Sequence, residues 1–385
     1  AEDSYRVRSV RAAREANEIA RRIPLSLVGE LAERKTMAQQ AWAEAKEAND
    51  SAYFAPHLIH IVRLNRELGE VIGYPSDGHP NDAMLLQYEP GMTAARLTDL
   101  FTELKFGILP LLQQINEQGS EPRWDFLIRT YPAETQRAFA LEIAQAFGYD
   151  LARGRVDSSA HPFEISFTRN DVRITTRYQP NYLTGAVFGL FHETGHALYE
   201  QGVDPALTRS ALATDFLGLY AVGGASFGVH ESQSRLWENQ VGRSRAFWQL
   251  PFPRLQSYFP TQLKAVDAEQ SYRAVNRVRP SLIRVEADEV TYNLHIMLRT
   301  ETEMGLMEGN IEISDLPELW KSKIQDYLGL TPPTDREDVL QDIHWSSGYI
   351  GRFPSYAIGN VMSAQFFQAA HNAVPELDDS QAAGD

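Results

Sequence analysis

The sequence predicts a mainly α-helical protein with one small antiparallel β-hairpin, and three observations carry that expectation. Strong helix formers fill the first 72 residues, one short stretch near residue 170 switches to strict alternation, and no repeat or flexible linker breaks the 385 residues. Residues 1 to about 72 read as helix, punctuated by Pro24 and by Asn49-Asp50-Ser51. Between Tyr74 and Gly91 the residues Pro75, Gly78, Pro80, Pro90 and Gly91 predict a loop with one short turn. Helices resume over Thr93 to Gln118 and Pro132 to Gly148. Glu164 to Thr168 alternates, Arg169-Asn170-Asp171 is turn chemistry, and Val172 to Tyr178 alternates again. That hairpin is expected to bury Ile165, Phe167, Val172 and Ile174 and to place Asp171, Arg173 and Thr175 on the opposite face. Leu183 to Gln201 reads as one helix with Gly202 as its cap, and Ile283 to His295 as another after Pro280. A glycine- and aromatic-rich loop, Trp345 to Gly359, leads into a final helix. The whole chain, 1–385, is expected to form a single domain.

Composition excludes several classes. With 43 % hydrophobic and 23 % charged residues the chain is neither disordered, collagenous nor coiled-coil. Its net charge of −15, from 51 acidic and 36 basic side chains, argues against nucleic-acid or anionic-membrane partners, which require a cationic field. No cysteine is present, so disulfides, thiol nucleophiles and thiolate metal sites are excluded. No apolar run approaches the roughly 18 residues a membrane span needs. No signal-peptide pattern opens the chain, and a cytoplasmic location is expected. The start at Ala1, without an initiating Met, suggests a trimmed chain.

The chemistry concentrates at His192-Glu193-Thr194-Gly195-His196. Histidines at i and i+4 share one helical face, so both imidazoles can reach one metal ion. Glu193 lies about 100° around the helix, beside the ligand stripe, where its carboxylate can deprotonate a metal-activated water. The competing reading is a pair of surface histidines, but the flanks Phe188-Gly189-Leu190-Phe191 and Ala197-Leu198 are apolar. Buried imidazoles and a buried carboxylate need partners, which a metal supplies. For a third ligand, Tyr199 and Gly202 stand where a metzincin needs Gly and His. Glu231, in Gly228-Val229-His230-Glu231-Ser232-Gln233-Ser234-Arg235, completes a two-histidine-plus-glutamate set instead. Its competing role is an i, i+4 pair with Arg235. Adjacent helical residues diverge by about 100°, so Glu231 is taken as ligand and His230 as a cavity residue. A di-iron bundle would need a second Glu-x-x-His motif, and none is found.

Two further stretches are candidates for substrate contacts. Arg284, Asp288, Tyr292, His295 and Arg299 recur at helical spacing, as a solvated ion-paired face or as the border of a cleft. An arginine there suits a substrate carboxylate, because its planar fork binds carboxylates bidentately. Tyr349 and Tyr356 read equally as core residues or as phenols that donate to an oxyanion.

Six blocks in order resemble the carboxypeptidase Taq metallopeptidases, over nearly the whole chain. They are His161-Pro162-Phe163; Asp171-x-Arg173-x-Thr175; His192-Glu193-x-x-His196; His230-Glu231-Ser232-Gln233; Ile283-Arg284-x-x-Ala287-Asp288; and Gly351 to Gln365. Three departures stand out. Arg352 occupies the tyrosine of the family's Gly-Tyr-Phe-Pro and Ser363 the place of an alanine, which leaves Tyr356 as the candidate phenol. The His196-to-Glu231 spacing is longer, with Asp215 to Val222 as the expected insertion. Family members also extend further at both ends. The resemblance implies a large helical, gluzincin-like saddle with a central groove, usually homodimeric. It further implies release of single C-terminal residues with broad tolerance, supported by one divalent ion, Zn²⁺ with Co²⁺ as the alternative.

The expected mechanism is metal-assisted peptide hydrolysis. His192, His196 and Glu231 hold the metal, Glu193 acts as general base, and Tyr356 or His230 stabilises the oxyanion. The strand Val172 to Arg177, with Asp171 and Thr175, would add the peptide through backbone bonds, and Arg284 or Arg173 would capture its terminal carboxylate. The alternatives are an endopeptidase or dipeptidase on the same chemistry, or a helical scaffold with a structural metal.

Overall fold

The computed structural model describes residues 4–119, 121–159, 161–208, 210, 212–213 and 226–384. The expected insertion, Asp215 to Val222, lies outside the described residues. Among those described, helices dominate and one small three-stranded sheet is present. The chain forms two compact units: Ala1–Gln118, Thr214–Phe227 and Val278–Ala357 in the first, Gly119–Ala213, Gly228–Arg277 and Ile358–Asp385 in the second.

In the first unit the helices Leu25–Ala48 and Ser51–Ile72 form a hairpin at the Asn-Asp pair expected to break them. Asn49 ends one helix in the left-handed region (φ 57°), which asparagine tolerates, and Asp50 caps the next by accepting from the Tyr53 backbone N–H at 3.1 Å. Leu58, Ile61 and Leu64 are buried, as are Leu294, Ile296 and Leu298 on the helix Tyr292–Glu308 that packs against them.

One expected helix is corrected here. Arg284–Glu286 is a single 3₁₀ turn, and the helix begins only at Tyr292. The Asp288 carboxylate accepts from the backbone N–H groups of Val290 and Thr291, both at 3.0 Å, and from the Thr291 hydroxyl at 2.7 Å. Those local bonds hold the backbone out of helix over this stretch. The polar stripe from Arg284 through Asp288 to Tyr292 therefore does not exist, and Arg284 pairs with Asp342 instead.

The second unit holds the sheet: β1 (Gly154–Ser158), β2 (Glu164–Thr168) and β3 (Asp171–Thr176), in the order β1-β3-β2. The hairpin forms where alternation placed it, while β1, short and charged, was not expected. β3 is central, paired parallel with β1 and antiparallel with β2. Both its edges are occupied, so the expected pairing of a substrate peptide with Val172 to Arg177 is excluded, and only β1 and β2 offer sheet edges.

Register also corrects the buried face. A bulge lies between Ser166 and Thr168, and Glu164 and Ser166 stand opposite Ile174 and Val172. Val172 and Ile174 are fully buried with Leu190 and Ala197 of the helix Leu183–Gly202, whereas Ile165 and Phe167 are 44 % and 62 % exposed. The inner face of β2 is thus polar. A second core, including Phe126, Phe139, Phe188, Phe191, Phe247 and Trp248, covers another side of that helix. Gly202 is its last helical residue rather than its cap.

Candidate metal centre

The helix Leu183–Gly202 is buried on more than one side, so the polar residues at its centre face protein rather than water. Gly195 is where the helix Phe227–Arg235 crosses it. A Cβ at this position would overlap the Gln233 carbonyl oxygen and the Ser234 Cα, so only glycine permits the approach. That crossing carries Glu231 to the two histidines. From the other side Gly359 packs on Glu231, where a Cβ would lie 2.6 Å from its Cγ.

Glu231 Oε2 lies 3.2 Å from His196 Nε2 and 3.7 Å from His192 Nε2. Ligands placed tetrahedrally at 2.0–2.2 Å around a zinc-sized ion sit roughly 3.4 Å apart, so these separations bracket the required edge. One donor atom from each of the three residues falls within 4.8 Å of the others, the sole such group of three or more among the described residues. Two neutral-capable imidazoles and a carboxylate are the donors a borderline divalent ion takes. The residues fit a metal.

Supporting side chains orient every ligand. His192 Nδ1 bonds Glu238 Oε2 at 2.9 Å, which turns its Nε2 toward Glu231. Glu238 also accepts from Arg235 Nη1 at 3.2 Å and lies 3.7 Å from Arg243 Nη2. His196 Nδ1 meets His230 Nδ1 at 2.6 Å, and His230 Nε2 meets Glu200 Oε1 at 3.0 Å. A consistent proton assignment follows: His230 donates from Nε2 to Glu200 and accepts at Nδ1 from His196, which leaves the His196 Nε2 lone pair for a metal. Both ring nitrogens of His230 are thereby engaged, so its geometry is that of a support for His196, and the expected direct contact with an oxyanion is not what this arrangement offers.

Arg235 donates to Glu231 Oε1 at 3.0 Å, so the i, i+4 pair and the ligand geometry coexist, one on each carboxylate oxygen. Burial pushes the Glu231 carboxyl up, but His192, His196 and Arg235 outweigh it and hold the group well below the usual carboxylate range. Glu238 is likewise lowered to about 2, because Arg235 and His192 overcome its burial. Glu193 lacks such compensation. Burial raises it to about 7 against the opposing pull of His192, a value suited to taking and returning a proton near neutrality. Glu164, on the inner face of β2, is raised to about 7 by burial, with Glu200 and Glu193 adding to the rise and His230 opposing it.

Sequence reasoning missed Glu238, Glu200 and Glu164. Glu238 lies on a π-helical turn, Leu236–Val241, that continues the Glu231 helix; such one-turn widenings recur at functional sites. Its seven-residue offset from Glu231 was the available signal.

The remaining predicted residues divide by unit. On β3, Arg173 donates Nε and Nη2 to Asp171 at 2.8 and 2.9 Å, an exposed pair beside the Phe167 ring. Thr175 is buried, its hydroxyl accepting from the Phe163 N–H at 3.1 Å while its own N–H donates to the Phe163 carbonyl at 2.9 Å. The blocks His161-Pro162-Phe163 and Asp171-x-Arg173-x-Thr175 are thus one structural unit. In the first unit Arg284 is buried, with Nε and Nη2 on Asp342 Oδ1 at 3.0 and 2.8 Å and Nη1 on the Tyr292 hydroxyl at 2.9 Å. The Tyr356 hydroxyl lies 2.9 Å from His344 Nε2.

A helical fold presenting two histidines one turn apart, a glutamate ligand and an adjacent buried carboxylate defines a metallopeptidase. The sequence profile of the carboxypeptidase Taq (M32) metallopeptidases matches residues 1–385. The chain is 46 % identical over 384 residues to thermostable carboxypeptidase 1 of Thermus thermophilus, covering 98 % of this chain and 73 % of that protein. It is 41 % identical to carboxypeptidase 1 of Bacillus subtilis, covering 96 % and 72 %. The crystal structure of the M32 carboxypeptidase from Deinococcus radiodurans superposes with a TM-score of 0.92 at 42 % identity, over 99 % of this chain and 74 % of that one. The chain belongs to the carboxypeptidase Taq (M32) family and is a metal-dependent carboxypeptidase.

Proposed function

We propose that the protein releases single residues from peptide C-termini with broad side-chain tolerance, using one divalent ion held by His192, His196 and Glu231. The observation that carries this reading is the convergence of His192 Nε2, His196 Nε2 and Glu231 Oε2 beside the buried carboxyl of Glu193. A divalent cation there supplies Lewis acidity to the scissile carbonyl and to the attacking water. Glu193 takes the proton from that water and returns it to the leaving amine. His230, Glu200 and Glu238 hold the two imidazoles in register. Tyr356, positioned by His344, donates its phenol to the developing oxyanion. Asp171, Arg173 and Thr175 are proposed as substrate-binding residues of the hairpin, which they shape through their pairing and their hold on Phe163, and Arg284, fixed by its bonds to Asp342 and Tyr292, is proposed as a further one.

Zinc is the proposed ion, with cobalt as the alternative, because a His₂Glu set suits both. The active form is proposed to be a homodimer in the cytoplasm, with the chain as one catalytic domain; the unbroken family match across both units supports the last point. Mass spectrometry of one peptide, incubated with metal-loaded protein in free-acid and C-terminally amidated forms, tests the reading. Stepwise shortening of the free acid alone is expected. Internal cleavage, N-terminal shortening or equal cleavage of the amide would contradict it.

A further inference from the structure

Within the second unit the sheet covers one face of the helix Leu183–Gly202. Val172 and Ile174 pack with Leu190 and Ala197, and a Cβ at Gly189 would lie 3.5 Å from Pro162 Cγ at the entrance to β2. Gly189, Glu193 and Ala197 are spaced by four residues, so Glu193 lies at the centre of the covered face. His192 and His196 form the neighbouring ridge, about 100° around the helix. The strand that reaches this face carries Glu164, opposite Ile174 in the register.

Glu164 is half-buried, and its Oε1 is shielded from solvent without a hydrogen-bond partner. Besides burial, the groups that act on its charge are His230, Glu200, Glu193 and the Ser166 hydroxyl. Ser166, two residues on and on the same face of the strand, donates to the carboxyl. The remaining three offer Oε1 nothing. Glu200 and Glu193 are acceptors only when ionised. His230 has both ring nitrogens engaged, Nδ1 with His196 and Nε2 with Glu200. Glu164 thus carries an acceptor oxygen that the protein around it leaves unsatisfied, and a buried acceptor without a donor is costly.

The donor has to come from outside, and the position names its class. Hydrolysis breaks the C–N bond, the water oxygen joins the carbonyl carbon, and the water proton passes through Glu193 to the nitrogen. That nitrogen therefore stands beside Glu193. It carries one N–H already and gains a second on protonation, so one is free for a neighbouring acceptor. A half-buried residue is open to an approaching substrate, while its Oε1 is kept from bulk water.

We infer that Glu164 contacts the substrate as the acceptor that holds the N–H of the cleaved bond and then the amine of the released residue. This rests on the role proposed above for Glu193, and every residue it uses lies in the second unit.

The test compares a peptide with the matched depsipeptide, in which an ester oxygen replaces the N–H of the cleaved bond. Metal-loaded wild type, Glu164→Gln and Glu164→Ala are assayed on both, with metal content measured alongside. Glu164→Ala is expected to lower the ratio of peptide to ester kcat/KM roughly 10- to 100-fold, the size of a lost charge-assisted hydrogen bond. Glu164→Gln keeps an acceptor oxygen without the charge and falls between. If Glu164→Ala fails to fold, the glutamine variant carries the same comparison. An unchanged ratio, whether both substrates slow equally or neither does, would overturn the inference. Loss of metal from both variants would overturn it too, making Glu164 a support for His230. A wild type that shortens neither substrate would instead contradict the proposed function itself.

Discussion

Glu238 makes no contact with the proposed ion's position, yet the structure assigns it control over metal affinity. Its Oε2 takes the His192 Nδ1 bond at 2.9 Å and the Arg235 Nη1 bond at 3.2 Å. Glu238→Gln, with its amide oxygen in the place of Oε2, keeps the acceptor for both but loses the negative charge and turns its NH₂ toward Arg243. Glu238→Ala removes both acceptors. Outer-shell partners of ligating histidines are typically worth 10- to 100-fold in affinity, or about 1.4–2.7 kcal/mol. The glutamine variant belongs near the lower figure, because His192 can still be oriented, and the alanine variant near the upper. The alanine change also removes the carboxylate that faces both Arg235 and Arg243, so a stability loss of about 3 kcal/mol accompanies it. Competition titration against a chromogenic chelator reads the affinity, and activity should return at saturating metal. An unchanged metal Kd in Glu238→Ala would refute the reasoning.

Three further outcomes follow from the same geometry. Glu193→Gln should retain one metal per chain and lose about 10²- to 10⁴-fold in kcat, and an active, metal-loaded variant would remove Glu193 as the base. Gly195→Ala forces apart the helices that cross at Gln233 and Ser234, so a loss of about 1–3 kcal/mol by denaturant melting and weaker metal retention are expected. Asp338 is fully buried, neither carboxylate oxygen has a hydrogen-bond partner, and burial raises it to about 7. Because its folded-state value lies above the unfolded one, its contribution is fully present below pH ~4 and is lost as pH rises through about 7. Asp338→Asn should therefore gain on the order of 2 kcal/mol relative to wild type at pH 8 and nothing at pH 4, read from melts at both.

The sequence exposed what depended on local spacing. His192 and His196 were legible because one helical turn suffices to aim both, and Glu231 because a third ligand had to come from a neighbouring polar helix. Glu200, one turn after His196 on the same helix, and Glu238, seven residues after Glu231, were not, because their roles arise only when the crossing at Gly195 brings His230 to Glu200 and the π-helical turn brings Glu238 to His192. The false helix at Ile283 to His295 fails for a different reason. Its pattern is helical, but Asp288 offers the backbone side-chain bonds that compete with helix, and tertiary pairing draws Arg284 to Asp342 from 58 residues away. On the hairpin, alternation placed both strands correctly, yet a bulge at Ser166/Thr168 sent Ile165 and Phe167 outward. Period-2 patterning names two faces without saying which one a neighbouring helix will cover.

The metal centre itself is tested most directly by anomalous diffraction at the zinc edge from zinc-loaded crystals. The account predicts one peak, within about 2.0–2.2 Å of His192 Nε2, His196 Nε2 and a Glu231 carboxylate oxygen, with a fourth position open to solvent. A peak elsewhere, or an ion closed off by four protein ligands, would contradict it.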